Sequence, residues 1–139
     1  MKNIGNTIEK DYTLAKMMLG VLETYKNTHE DSFVIGFLTG VASGIQFIHG
    51  IKPGDSRFSE VMEGLIQTFN EIYGEKNGKL ALGLQQYEMR EGKSEDFNAG
   101  MNEGHDWSTL YLRGINDEPV VPMELIMYLS LNHEPKDKK

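Results

Sequence analysis

Residues 33–51 read FVIGFLTGVASGIQFIHGI, a run without a formal charge in which Gly36, Gly40 and Gly44 recur at every fourth place. Phe33, Phe37 and Phe47 fall beside these glycines on a helical wheel. Asp31 or Ser32 stands ahead of the run as an N-cap, and Gly50 follows it as a left-handed stop. One mostly buried helix is therefore expected. The run is long enough for a membrane span, and G-x3-G-x3-G suits one. Against that, Thr39, Ser43, Gln46 and His49 gather on one side of the wheel and no basic flank sets an orientation, so no membrane partner is expected.

The pattern returns at a spacing of 64. Phe33, Gly36, Gly40, Gly50 and Ile51 meet Phe97, Gly100, Gly104, Gly114 and Ile115, giving F-x2-G-x3-G-x9-G-I twice. Leu19-Gly20-Val21 precedes the first copy as Leu82-Gly83-Leu84 precedes the second, and Met62-Glu63-Gly64-Leu65-Ile66 is echoed by Met123-Glu124-Leu125-Ile126 with one residue dropped. The chain reads as two three-helix halves, residues 6–74 and 78–135. Glycine inside a helix costs ~1 kcal/mol relative to alanine, so its repeated placement asks for a compensating contact. Two contacts qualify at this point: direct backbone approach between the two glycine helices, or room made for neighbouring aromatic rings.

The remaining segments complete an all-α fold of about six helices. Asn6 and Glu9 open a capping-box-like start, and Ile8, Tyr12, Ala15, Met18, Leu19, Leu22 and Tyr25 form the stripe of a first helix ending near Asn27. Asp55 or Ser56 is expected to cap a third helix with Phe58, Val61, Met62, Leu65, Ile66 and Phe69 inward, stopping before Gly74. A fourth is expected from Lys79 to Glu91 with Leu80, Leu82, Leu84 and Tyr87, a fifth from Glu95 to Arg113 capped by Ser94, and a sixth from Pro122 through Leu129. The methionines, including Met17, Met18, Met62, Met101, Met123 and Met127, sit mostly at core spacing.

Composition agrees with one domain over residues 1–135 and a charged tail at 136–139. The chain has 139 residues, 39% of them hydrophobic and 25% charged, with a mean hydropathy of −0.44. With no cysteine, disulfides, cysteine-ligated zinc and thiol catalysis are excluded. A net charge of −7 is the wrong sign for a phosphate-backbone binder, so no direct nucleic-acid contact is expected. Lys2, Glu9, Lys10, Asp11 and Lys16 interrupt any secretory apolar core, which reads as cytoplasmic, or as periplasmic if a signal was removed before numbering.

Phe33-x2-Gly36-Phe37-x2-Gly40-Val41-x2-Gly44, followed by Gly50-Ile51-x-Pro53 and an amphipathic helix from Arg57 to Tyr73, resembles the Rap/Tai-type immunity family. These are small helical proteins that block peptidoglycan amidase effectors of type VI secretion. The second copy, with Phe97, Gly100, Gly104, Gly114-Ile115 and a helix ending in Asn132-His133-Glu134-Pro135, is similar in outline. The resemblance covers about half the chain and implies a helical fold and a binding role. The chain departs from the family in having neither cysteines nor an export signal.

Chemistry-bearing residues are few. His29, His49, His105 and His133 form no H-x3-H or H-E-x2-H pair, and no phosphate-cradling glycine loop or G-x-S-x-G elbow occurs. The densest cluster is Glu103, His105, Asp106 and Trp107, with His29-Glu30-Asp31 second. An imidazole beside acids can bind a metal or move a proton. A solvated helix face explains the first cluster as well, and Glu30 and Asp31 also suit the positive end of the following helix. Trp107 beside carboxylates has the composition of a protein-binding anchor, with a filler between helices as the alternative.

The expectation is a small acidic module that binds another protein, with Glu103, His105, Asp106 and Trp107 as its contact residues and no cofactor or metal. It would act as a stoichiometric inhibitor or immunity-type protein occluding a partner enzyme, and acidic charge suits a basic or nucleic-acid-binding partner. A homodimer stays open. Alternatives are a phage or mobile-element inhibitor of a host defence complex, and a small helical metal-dependent enzyme using His105, Glu103, Asp106 and the His29–Asp31 loop.

Overall fold

The computed structural model describes residue 22 and residues 25–52, 54–111 and 123–133. Over these residues the chain is helical and has no strand. A 3-10 turn at Lys26–Glu30 leads into α1 (Ser32–Ile48), α2 (Phe58–Tyr73), α3 (Glu75–Glu91), α4 (Glu95–Tyr111) and α5 (Met123–Asn132). The first of the expected six helices lies outside the described residues except for Leu22, which is fully buried, and Tyr25, which packs against the core.

The helix starts follow local chemistry. Asp31 is the cap of α1, accepting from the Val34 N–H at 3.2 Å, and Ser94 caps α4 through Phe97 N–H at 3.1 Å. Neither Asp55 nor Ser56 caps α2; the Asp55 carboxylate accepts from the Lys52 N–H at 2.9 Å and closes the preceding turn instead. Helix α3 begins four residues before the expected Lys79, directly after Gly74. That glycine holds φ +88°, a conformation side-chain-bearing residues rarely adopt, and it reverses the chain between α2 and α3 in a single residue.

Helices α1 and α4 run parallel with their backbones in contact. Gly36 is pressed against the Phe97 carbonyl and Gly100 against the Phe33 carbonyl; Gly40 meets the Met101 carbonyl and Gly104 that of Phe37. Phe97, Gly100, Met101 and Gly104 are the counterparts, at a spacing of 64, of Phe33, Gly36, Phe37 and Gly40. Each contact thus occurs twice with the partners exchanged, which defines a local two-fold axis running along the pair. Of the two readings of the glycines, direct backbone approach is the one the structure adopts. Gly44 ends the series against Ser108, the counterpart that is not glycine. Helices with ordinary side chains stand about 8–10 Å apart, and removal of Cβ lets these come closer, so that Cα–H groups face carbonyl oxygens across the seam.

The core grows from both flanks of this seam. Phe37, Leu38, Ile35 and Ile45 of α1 and Phe97 of α4 join Val61, Leu65, Phe69 and Ile72 of α2 and Leu125 and Leu129 of α5, all buried. The buried face of α3 is Gly78, Ala81, Gln85 and Glu88, with Gly78 against Asn70 of α2, whereas Leu80 and Tyr87 are exposed. Glu88 accepts a hydrogen bond from the Ser32 hydroxyl at 2.9 Å. Met62 and Met101 pack against the core as expected, but Met123 and Met127 are exposed, and Met17 and Met18 lie outside the described residues.

A methyl at position 40 would lie 2.7 Å from the His105 backbone nitrogen and nearer still to the Met101 carbonyl. Gly40→Ala is expected to lower stability by about 3 kcal/mol despite the better helix propensity of alanine. A methyl at position 83 of α3 would meet nothing within 4 Å, so Gly83→Ala is expected to gain up to ~1 kcal/mol. Opposite shifts in urea midpoint would confirm the seam, and a neutral Gly40→Ala would refute it.

Candidate functional site

The four residues expected to share one face are separated by the turn of α4. Successive side chains diverge by about 100° around a helix, and the glycine seam fixes which way each one points. Trp107 goes into the core at 3% exposure and is not available as a surface anchor. His105 falls on one flank of the seam, where its Nδ1 lies 3.1 Å from the Ser43 hydroxyl of α1. Glu103 is half-buried on the other flank, towards α5, and Asp106 is exposed. The expected constellation therefore does not exist as a unit.

The His105 flank forms an open cleft of about 400 Å³ lined by Ser43, Gln46, Phe47, Ile51, Lys52 and His105. Phe47, grouped with the inward rings by its spacing, is 60% exposed and meets the His105 ring edge-on at 5.8 Å. A serine–histidine hydrogen bond is the first part of a nucleophile and base pair. Among the described residues, however, no carboxylate bonds to His105 to orient it, and the pair stays without the third member that such chemistry uses.

The His29–Asp31 segment serves structure. Both carboxylate oxygens of Asp31 lie 2.9 Å from the Tyr128 hydroxyl, and one of them is 2.5 Å from His133 Nε2, while the same side chain caps α1. Tyr128 stacks on Phe33 with centroids 4.2 Å apart, so Asp31 and Phe33 together hold α5 to the start of α1. Burial and the adjoining Asp31 carboxylate push the Tyr128 hydroxyl well above the usual tyrosine range. His29 packs edge-on to Tyr73, whose hydroxyl lies 3.0 Å from that of Thr28 and is pushed up chiefly by burial. Ser43, beside His105, is twelve residues along α1 from Asp31, about 18 Å at 1.5 Å per residue, so the two histidine clusters do not converge. Among the described residues no three His, Asp or Glu side chains are grouped to hold a metal.

The other flank is acidic. Burial raises the Glu103 carboxyl above its ordinary range, and the Glu124 and Asp106 charges raise it further. The Glu103 carboxyl thus lies within the fields of Asp106 on α4 and Glu124 at the start of α5. Glu124 lay outside the sequence expectation because it belongs to another helix; the acidic enrichment of the first turn of α5 was its only signal. Exposed apolar side chains stand beside this group, Leu110 on α4 and Met123, Met127 and Leu131 on α5.

No protein-family model matches the chain, and neither a curated protein nor a solved structure does. Among the described residues no helix is long and apolar enough to cross a membrane.

A carboxyl whose pKa is raised on folding favours the folded state when protonated, and that contribution is lost as pH rises through the folded pKa. Glu103→Gln is expected to melt together with the parent below the ordinary carboxylate range and at a higher temperature at pH 7. Thermal melts across that range check this, and a parent that equals or exceeds the variant at pH 7 contradicts it.

Proposed function

We propose that the chain is a small acidic protein-binding module that acts as a stoichiometric inhibitor of immunity type, occluding a partner enzyme with the α4–α5 flank. One observation carries this reading: the half-buried Glu103 lies within the fields of two exposed carboxylates, Asp106 on its own helix and Glu124 at the start of α5, which oppose its ionisation. Packing does not require a charge at any of these places, and a cationic partner relieves the repulsion they create. Helices α4 and α5 contribute Glu95, Asp96, Glu103, Asp106 and Glu124 and no Lys or Arg, so the field has one sign along both. The resemblance to the Rap/Tai-type immunity family supports the same class of function, with occlusion in place of turnover. Relative to the sequence expectation, Glu103 and Asp106 stay in the contact surface and Glu124 joins them, while Trp107 belongs to the core and His105 faces the opposite cleft.

The reading is tested by placing a photo-cross-linking residue at Asn102, exposed on α4 beside Asp106, and at Gln86, exposed on α3, in cells of the native host. The Asn102 position is expected to yield one adduct of 1:1 stoichiometry that falls at least tenfold when Glu103 and Asp106 are both changed to Lys. Activity of the captured enzyme is expected to vanish at one equivalent of added chain. Equal adducts from Gln86, or a partner fully active when saturated, would overturn it.

A further inference from the structure

From Leu65 and Leu125 the sequences of α2 and α5 align without a gap at a spacing of 60. Their burial agrees in part: Leu65 and Leu125 are buried, as are Phe69 and Leu129, and Ile66 and Ile126 are half-buried, whereas Thr68 and Ile72 are buried and their counterparts Tyr128 and Asn132 are not. The exposed row also agrees. In α2 it is Gln67 and Glu71; in α5 the same places carry Met127 and Leu131, which are 55% and 79% exposed, and Met123, the counterpart of the half-buried Met62, is 65% exposed. The α2 helix demonstrates that this fold accepts polar groups at the places of Met127 and Leu131. The apolar row on α5 therefore answers to something other than packing of the domain.

Its surroundings specify what that is. The Glu124 and Asp106 charges act on Glu103 near the start of α5, and the Asp96 charge acts on Tyr128 further along it. Leu110, 67% exposed, shares the outer face of α4 with Glu103 and Asp106 at helical spacing. An apolar row with carboxylates and, among the described residues of α4 and α5, no Lys or Arg complements a surface that is apolar along one stripe and cationic beside it.

We propose that the Met123, Met127 and Leu131 row seats a basic amphipathic helix of a partner protein. The apolar face of that helix lies along the row, and its Lys or Arg flank reaches Glu103, Asp106 and Glu124. This rests on the partner-binding reading above and names its occupant. The row spans eight residues of α5, about 12 Å or two turns, which matches anchors at i, i+3 or i+4, and i+7 of an incoming helix. Methionine side chains adapt to varied apolar surfaces, which suits a groove-free helix face. A second copy of this chain fits less well, because joining like faces would set the same carboxylates against each other on two chains of charge −7.

The test uses the full chain with methyl-labelled methionine and an 18-residue model peptide of Leu and Lys patterned for an amphipathic helix, beside a scrambled isomer of the same composition. Expected are 1:1 binding, shifts of the Met123 and Met127 methyl signals with Met62 and Met101 unmoved, and affinity at least tenfold weaker for the scramble. Met127→Glu is expected to weaken binding at least tenfold, and Leu131→Ser, a milder change at the most exposed position, several-fold; both keep the parental melt. Equal binding of the scramble, unmoved Met123 and Met127 signals, or a concentration-dependent dimer dissolved by Met127→Glu would each overturn the proposal. An Asn102 adduct that persists undiminished in Met127→Glu would refute the seat while leaving the partner-binding reading intact; loss of the adduct from the parent chain itself would refute both.

Discussion

Backbone contact between α1 and α4 is the constraint from which the rest of the arrangement follows. Five glycines, Gly36, Gly40, Gly44, Gly100 and Gly104, give up about 5 kcal/mol of helix propensity at ~1 kcal/mol each. The offset is close packing along the whole seam, with carbonyl oxygens occupying the space that Cβ atoms would otherwise fill. Because a methyl group cannot enter, the two helices have one depth of contact and one register. That rotational setting fixes the direction of every other side chain on both helices.

The consequences on α4 are chemical. With Gly100 and Gly104 on the seam, Trp107 turns into the core, His105 turns towards Ser43 and Phe47, and Glu103 turns towards Glu124. Residues adjacent in sequence thus contribute to three different environments. On the α5 side, Asp31 and Phe33 anchor Tyr128, and this holds the start of α5 where the Glu124 charge acts on Glu103. An N-cap at the entry to α1 therefore also positions the acidic flank, through a hydrogen bond that spans 97 residues of sequence.

The local two-fold axis supplies an internal comparison. Its two halves agree where packing dictates, at the glycines, at Phe33 and Phe97, and at Leu65 and Leu125. They differ at the buried end of the seam, Gly44 against Ser108, and in the exposed row of α2 against that of α5. Divergence at the exposed positions costs the fold least, because a surface residue can change without disturbing the seam.

The helical class, the position of α1, the Ser94 cap and the pairing of the two glycine patterns were all legible in the residues, since capping, periodicity and glycine spacing act over a few neighbours. The site was legible only in part. Glu103 and Asp106 stood out by composition, but nothing local distinguished Trp107 from a surface aromatic or Phe47 from an inward ring, and Met123 and Met127 share the spacing of buried residues. Helical periodicity says which side chains share a face; it does not say whether that face meets protein or solvent. The amino-acid order by itself determined the helices and the stripe on which two of them touch. Tertiary structure decided which flank of that stripe each charge and ring occupies, because flank assignment depends on the rotation at which two backbones come into contact and on which third helix lies beside them.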